Sequence, residues 1–230
     1  MPKLSIIIPT YNEAENVEPL LAEIFKFLGP VVAETEVIIV DDNSPDGTGE
    51  VAEKLKNSYP VRVIHRSGKL GLGSAVRAGF AAAKGELLGV MDGDLSHDPL
   101  ILPDILKALE QNDIVIASRF VEKGAVERWA WWRKATSKIG VWLTRRLTRV
   151  GDPLSGYFFL HRRVIDGIPL ATNGYKILFE ILVKGRCATV KELPYRFRMR
   201  RYSHSKLDLK EYWLFLKQIL EYRRYRSKLP

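Results

Sequence analysis

Asp92-Gly93-Asp94 holds two carboxylates one small residue apart, directly after the apolar run Leu87-Leu88-Gly89-Val90-Met91. Carboxylates so placed can turn together toward a hard divalent cation. Mg²⁺ and Mn²⁺ suit a site with few protein carboxylates, because they keep water and take phosphate oxygens from a substrate. Gly93 permits close approach of backbone and ligand. An Asp-x-Asp triplet in isolation is more often solvated loop, and its place at a strand end is what singles this one out. A second acidic pair, Asp41-Asp42, ends the β-branched run Glu36 to Val40. An acid there takes ribose hydroxyls or a base edge, or it caps the following turn. Arg119, Arg133, Arg200 and Lys206 lie in separate segments and offer the forked and point-charge donors that suit phosphate. Gly68-Lys69-Leu70-Gly71-Leu72-Gly73-Ser74 looks like a phosphate loop but lacks its Gly-Lys-Ser/Thr ending, and reads as a tight lead-in to a helix.

The elements that must position these residues follow from hydrophobic spacing. Strands are expected at Leu4 to Ile8, Glu36 to Val40, Val61 to His65, Leu87 to Met91 and Ile114 to Ala117. Helices are expected at Val17 to Phe27, Thr48 to Leu55, Gly73 to Ala83 and Pro103 to Glu110. In the first helix Leu20, Leu21, Ile24, Phe25 and Leu28 share a face. This alternation predicts βαβ units and a mostly parallel sheet, whose ligands bind beyond the carboxyl ends of the strands. Pro9-Thr10-Tyr11, Asp41-Asp42, Asp92-Gly93-Asp94 and Ser118-Arg119 all fall on that edge.

Later segments differ in character. Trp129, Trp131, Trp132 and Trp142 sit among Arg128, Arg133, Lys134, Lys138, Arg145 and Arg146, and Arg133 to Arg149 reads as a basic amphipathic helix. A helix at Tyr175 to Lys184 and a strand at Thr189 to Pro194 follow. Residues 208–226 form a last amphipathic helix, with Leu209, Tyr212, Trp213, Leu216, Ile219 and Leu220 on its apolar side. Basic helices bearing Trp suit the headgroup region of a membrane, and packing on the sheet is their other reading.

Composition sets the limits. The chain has 230 residues, 46% hydrophobic and 27% charged, enough for one sizeable core. Its +9 net charge calls for an acidic partner, whether nucleotide phosphate, anionic membrane or nucleic acid. One cysteine, Cys187, excludes an internal disulfide and fits a reduced, cytosol-facing compartment as a small core residue. His65, His97, His161 and His204 have no zinc-ligand spacing. No signal peptide is read at the start, and no apolar run reaches the ~18 residues that span a bilayer.

With these residues in hand, the sequence resembles the dolichol-phosphate mannosyltransferase branch of glycosyltransferase family 2. The resembling segments are Ile6 to Glu13, Val40 to Thr48, Leu70 to Ala75, Met91 to His97, Ser118-Arg119-Phe120, Asp152 to Tyr157 and Ser205-Lys206-Leu207. The run Asp41-Asp42-Asn43-Ser44-Pro45-Asp46-Gly47-Thr48 is the most specific to that branch, together with Ser205-Lys206-Leu207. The resemblance implies a GT-A, Rossmann-like α/β fold. It implies residues 1–207 as the catalytic domain, with acceptor and interface helices near 125–150, and residues 208–230 as a membrane-interface helix. It implies mannose transfer from GDP-mannose to dolichyl or polyprenyl phosphate, dependent on Mg²⁺ or Mn²⁺, peripherally on the cytoplasmic face of a membrane, and it is compatible with a membrane-anchoring partner subunit.

By the same resemblance Pro9, Tyr11, Glu13, Val40 and Asp42 would line the nucleoside pocket. Asp92, Gly93 and Asp94 would meet metal and diphosphate, with Ser96 as a third, shorter metal ligand where some relatives carry Gln. Arg200 and Lys206 would close over the phosphates. Arg119, Arg133 and Ser137 would hold the lipid phosphate, and Asp92, Asp94 and Arg119 would carry catalysis. A phosphomonoester with a second pKa near ~6 is already ionised at neutral pH, so no general base is required. Two other readings stand beside this one. A polyprenyl-phosphate glucosyltransferase would use UDP-glucose. A non-catalytic nucleotide- or RNA-binding protein would account for the charge but has no need of Asp92 and Asp94, so nucleic acid is not an expected partner.

Overall fold

The computed structural model describes residues 2–121, 125–126, 140–145, 147–172, 176–198 and 209–226. Strands β1 (Leu4–Thr10), β2 (Thr35–Asp41), β3 (Val61–His65), β4 (Leu87–Val90) and β5 (Ile114–Ser118) alternate with helices α1 (Ala14–Phe27), α2 (Thr48–Leu55), α3 (Leu72–Ala82) and α4 (Leu102–Leu109). After the short β6 (Ala125–Val126) come helix α5, described at 140–145 and 147–148, then β7 (Phe158–His161), α6 (Ile177–Lys184), β8 (Val190–Pro194), β9 (Arg196–Phe197) and α7 (Leu209–Arg226). The strands and helices expected in residues 4–117, 177–194 and 209–226 are present, shifted by at most a few residues at their ends, whereas most of the first half of the helix expected at Arg133 to Arg149 lies outside the described residues.

The main sheet runs β3-β2-β1-β4-β7-β5-β8, and all pairings are parallel except those of β7. It is a single, mostly parallel α/β sheet of Rossmann type flanked by helices. Both faces are covered, which is why its strands read as continuous apolar runs rather than alternating ones. Ile6, Ile8, Val37, Ile39, Val115 and Phe159 pack with α1, α2 and α4. Ile7, Ile38, Val40, Ile114, Ile116 and Phe158 pack with α3 and α6 on the other face. Cys187 is half-buried beside this second cluster and forms no disulfide.

β7 had no counterpart in the spacing. It enters antiparallel between β4 and β5, opposing Gly89 to Phe159. A Cβ on Gly89 would lie 2.2 Å from the Phe159 ring, so only glycine leaves room for that ring in the sheet centre. Because β7 runs backwards, the segment 151–157 that leads into it lies on the same edge as the carboxyl ends of the parallel strands.

Helix α7 does pack on the domain. Phe215, Ile219 and Tyr222 are buried against Val141, Leu154, Phe179 and Val183. Of the residues expected on its apolar side Ile219 is buried and Leu220 is 59% exposed, while the side chains of Leu209, Tyr212, Trp213 and Leu216 lie outside the described residues; Phe215 and Tyr222 also face inward. The ring contacts of Phe179 with Phe215 and Tyr222 hold those two in place.

Asp113 ties the α6–β8 connection to the start of β5. Its carboxylate accepts from the N–H groups of Ala188 (2.8 Å) and Thr189 (3.0 Å) and from Arg163 (2.9 Å). Burial opposes ionisation, but these donors outweigh it and hold the pKa at about 2. A carboxylate depressed below the ordinary ~3.9 contributes stability that is present above about pH 4 and is lost as pH falls toward 2. Asp113→Asn should therefore cost about 2 kcal/mol of unfolding free energy at pH 7. In urea titrations the difference from wild type should shrink as pH drops below 4, and a pH-independent difference would contradict the assignment.

Candidate active site

Six segments meet at the carboxyl edge of the sheet. In order across it they are Arg66 after β3, Asp41-Asp42 after β2, Thr10-Tyr11-Asn12 after β1, Met91 to His97 after β4, 151–157 before β7, and Arg119 after β5. Tyr195 follows β8 on the same edge. Three strand ends carry a non-glycine residue in the left-handed region: Asn12 at φ 58°, Asn43 at φ 57° and Leu95 at φ 62°. Asn tolerates that conformation through its short polar side chain, but Leu does so at a cost of roughly 1–2 kcal/mol. Leu95 is buried and sits inside the metal-type segment, so the surrounding packing holds that turn.

The two acids after β2 have different roles. Asp41 is a turn acid, accepting from Thr10 Oγ1 (3.1 Å), Ser44 N–H (3.0 Å) and Ser44 Oγ (2.5 Å). Asp42 accepts from Arg66 Nη1 (2.6 Å) and from the Leu70 N–H (3.1 Å). Burial raises its pKa, and Arg66 offsets only part of that rise. Arg66 also donates to Ser74 Oγ at 2.5 Å. The glycine-rich segment is thereby pinned over β2 and leads into α3 through Gly71 at φ 98°, a helix lead-in as its sequence suggested. Lys69 Nζ sits 4.7 Å from the Tyr11 ring centroid. Of the expected nucleoside residues, Tyr11, Glu13 and Asp42 reach this edge. Pro9 and Val40 pair across β1 and β2 and are both buried, Val40 beneath α3.

In the Asp92-Gly93-Asp94 segment the Asp94 Oδ1 accepts from the Ser96 N–H (3.0 Å) and Ser96 Oγ (2.5 Å). Ser96 is fully buried, so here it orients a carboxylate. Gly93 fits against β1, where a Cβ would lie 3.1 Å from Thr10 Cγ2. The Asp92 side chain is 25% exposed. Its backbone N–H donates to His97 Nδ1 at 2.9 Å. That nitrogen must then be unprotonated, which puts the ring hydrogen on Nε2, 3.5 Å from Asp92 Oδ2. The His97 ring stacks on Tyr157 at 4.9 Å. Gly156 comes so close that a Cβ would lie 3.2 Å from Asp92 Oδ1.

Among the described residues no three His, Cys, Asp or Glu side chains form a metal cage. The donor set here is two hard carboxylates, one partly open and one braced by Ser96. That fits a Mg²⁺- or Mn²⁺-type ion completed by phosphate oxygens and water.

Arg119 Nε and Nη2 donate to the two Asp152 oxygens at 2.8 Å each, and its N–H donates to Oδ2 at 3.1 Å. Burial disfavours the guanidinium charge, but the Asp152 pair more than compensates and raises its pKa further. Glu192 of β8 in turn accepts from the N–H groups of Gly151 (2.6 Å) and Asp152 (2.8 Å). Arg198 bridges Glu23 (2.7 Å) and Asp98 (2.6 Å), and its N–H donates to the Ser96 carbonyl (3.0 Å). The chain thus leaves β9 beside the Asp92–Asp94 segment. Arg200, Lys206, Arg133, Ser137, Tyr175 and Trp129 to Trp132 lie outside the described residues. Arg66, His97, Glu192, Tyr195 and Arg198 were not expected as site residues. Only His97 stood close enough in sequence to be suspected.

The sequence profile of glycosyl transferase family 2 matches residues 5–167. The chain is 42% identical to the dolichol-phosphate mannosyltransferase of Pyrococcus furiosus over 94% of its own length and 62% of that protein's. It is 34% identical to the dolichol-phosphate mannosyltransferase of Saccharomyces cerevisiae, over 94% of this chain and 85% of that one. The fold is shared with glucosyl-3-phosphoglycerate synthase from Mycobacterium tuberculosis, solved with Mn²⁺, UDP-glucose and phosphoglyceric acid. The TM-score is 0.70 at 20% identity, covering 100% of this chain and 81% of that one. The chain belongs to glycosyl transferase family 2. It is a glycosyltransferase closely related to dolichol-phosphate mannosyltransferases.

The Arg119–Asp152 pair holds this edge together. Removing one charge of a buried pair leaves the other uncompensated, typically at ~3–5 kcal/mol. Asp152→Asn should lower unfolding free energy by about 3 kcal/mol in urea titrations. A loss below about 1 kcal/mol would mean that Arg119 finds its anchor elsewhere.

Proposed function

We propose that this glycosyltransferase transfers mannose from GDP-mannose to dolichyl or polyprenyl phosphate, giving the β-mannosyl phosphate with inversion. The supporting observation is an acidic Asp92–Asp94 segment and a permanently cationic Arg119 on one sheet edge, in a chain 34–42% identical to enzymes named for that transfer. An oxygen of the acceptor phosphate attacks the anomeric carbon, the bond from that carbon to GDP breaks, and GDP leaves with the bonding electrons. No proton needs to move, so no base is assigned. A Mg²⁺ or Mn²⁺ ion held by Asp92 and Asp94, with Ser96 bracing or joining them, would neutralise charge on the departing diphosphate. Arg119, Arg133 and Ser137 are assigned to the acceptor phosphate, and Arg200 and Lys206 to the diphosphate. Pro9, Tyr11, Glu13, Val40 and Asp42 are assigned to the nucleoside end, with Pro9 and Val40 as its buried floor.

A second reading keeps the same edge and replaces the donor with UDP-glucose. It is favoured by the Mycobacterium tuberculosis synthase of the same fold, which is solved with UDP-glucose and Mn²⁺. Transfer assays with radiolabelled GDP-mannose and UDP-glucose, dolichyl phosphate and Mn²⁺ separate the two. The proposal expects label in the lipid from GDP-mannose alone, and transfer from UDP-glucose alone would replace it with the second reading. Asp94→Ala should reduce transfer to background while the melting midpoint stays within about 2 °C of wild type. Retained activity at saturating Mn²⁺ would remove Asp94 from the site.

We also propose a peripheral site of action on the cytoplasmic face of a membrane, with residues 1–207 catalytic and 208–230 at the interface. No helix among the described residues is long and apolar enough to cross a membrane. Trp142 on α5 and Leu220 on α7 are 67% and 59% exposed, in segments rich in Arg and Lys. Such side chains suit the headgroup region. In liposome flotation the protein should rise with anionic vesicles and rise less in 0.5 M salt, an ionic strength of roughly three times physiological. Protein that stays at the bottom of the gradient would assign these helices to packing alone.

A further inference from the structure

Tyr195 is the residue that the transfer reaction, as argued so far, leaves without a task. It sits between β8 and β9, 3% exposed, and its N–H donates to the Ser118 carbonyl at 3.3 Å. Three aromatic neighbours fix its ring edge-on: Tyr157 at 5.5 Å, His97 at 5.9 Å and Phe197 at 6.4 Å. The ring alone would satisfy that packing. The hydroxyl oxygen is shielded from solvent and, among the described residues, has no hydrogen-bond partner. Leaving such a group unpaired costs roughly 1–3 kcal/mol, and phenylalanine would occupy the same place without that cost.

The surroundings indicate what the hydroxyl is for. The charges of Arg119, Asp152, Asp92 and Asp94 all act on it, and burial keeps it protonated. It is therefore a neutral donor within electrostatic reach of both the acidic segment and the guanidinium. A donor held in place before the ligand arrives needs no reorganisation when charge develops beside it. The ligand that this constellation accepts is an oxyanion: the cationic Arg119 and a divalent ion on the carboxylates both favour it, and the hydroxyl contributes a directed hydrogen bond without adding charge.

We propose that the Tyr195 hydroxyl is a phosphate-binding donor, giving its hydrogen to a phosphate oxygen admitted between the Asp92–Asp94 segment and Arg119. The proposal rests on the phosphate-transfer reading above. Two phosphates could supply the oxygen, the donor diphosphate and the acceptor phosphomonoester, and their binding can be measured separately.

The test is Tyr195→Phe. The free variant should melt at the same temperature as wild type or higher, because no hydrogen bond is lost and a buried unpaired hydroxyl is removed. Transfer should nevertheless fall about 10- to 100-fold in kcat/KM, the scale on which one preorganised donor acts. Calorimetric titration with GDP and with UDP, with and without Mn²⁺, reads the donor side. Weaker nucleotide binding assigns the hydroxyl to the diphosphate. Unchanged nucleotide binding with a raised KM for polyprenyl phosphate assigns it to the acceptor. A variant that matches wild type in nucleotide affinity and in both kinetic constants overturns the proposal. A clearly lowered melting midpoint does so as well, since the hydroxyl would then have a structural partner. Wild-type protein that binds nucleotide yet transfers no sugar would refute the transfer reading while leaving the Tyr195 binding comparison intact.

Discussion

Asp152 carries a full charge with no solvent exposure, which is tolerable only where donors enclose it. Both its oxygens take the Arg119 fork, and one also takes the Arg119 N–H. Its own N–H and that of Gly151 are given to Glu192. One buried pair thereby joins the ends of β5 and β8 to the segment that leads into β7. That segment brings Gly156 against Asp92 and Tyr157 under His97, and His97 holds the Asp92 backbone. The geometry of the metal-type segment is thus inherited from an ion pair some residues away. Asp152, Glu192, Tyr157 and His97 touch no substrate in the proposed reaction, whereas Arg119 both anchors the edge and is assigned to the acceptor phosphate.

The other half of the edge depends on Arg66. It sits after β3 and closes the ring by pairing with Asp42 and gripping the glycine-rich lead-in to α3. The two halves differ in charge. Near β2 an acid and a base nearly cancel. Near β4 and β5 the Arg119 charge is balanced by Asp152, and Asp92 and Asp94 add negative charge of their own, so this half calls for a bound cation before it takes an anion. Such an arrangement suits a reaction that separates diphosphate from sugar without moving a proton.

Much of the fold was legible in the sequence, because both faces of the sheet are buried and its strands are unbroken apolar runs. Val61–His65 and Thr48–Leu55 lie at the residues expected. β7 was not legible, since a four-residue antiparallel strand leaves no period to count and Gly89 reads as a weakness until Phe159 is seen across from it. Asp92, Gly93, Asp94 and Arg119 stand just past the ends of β4 and β5, where the sequence placed them. Ser96, expected as a short ligand, donates to Asp94 through its N–H and Oγ. Arg66, Glu192, Tyr195 and Arg198 act through partners distant in sequence, from 24 residues between Arg66 and Asp42 to 175 between Arg198 and Glu23. Local pattern carries no record of such pairs. Phe215 and Tyr222 of α7 were likewise unread, because their partner Phe179 lies on another helix.

In the proposed reaction Asp92 and Asp94 hold a cation jointly with a diphosphate rather than alone. Two carboxylates without a third protein anion make a weak site for Mn²⁺ until phosphate oxygens complete it. Electron paramagnetic resonance of Mn²⁺ titrated into wild-type protein counts the bound ion directly. The account predicts weak binding to the protein alone and at least about a tenfold gain, roughly 1.4 kcal/mol, once a nucleoside diphosphate is present. Mn²⁺ affinity that is the same with and without nucleotide would contradict it.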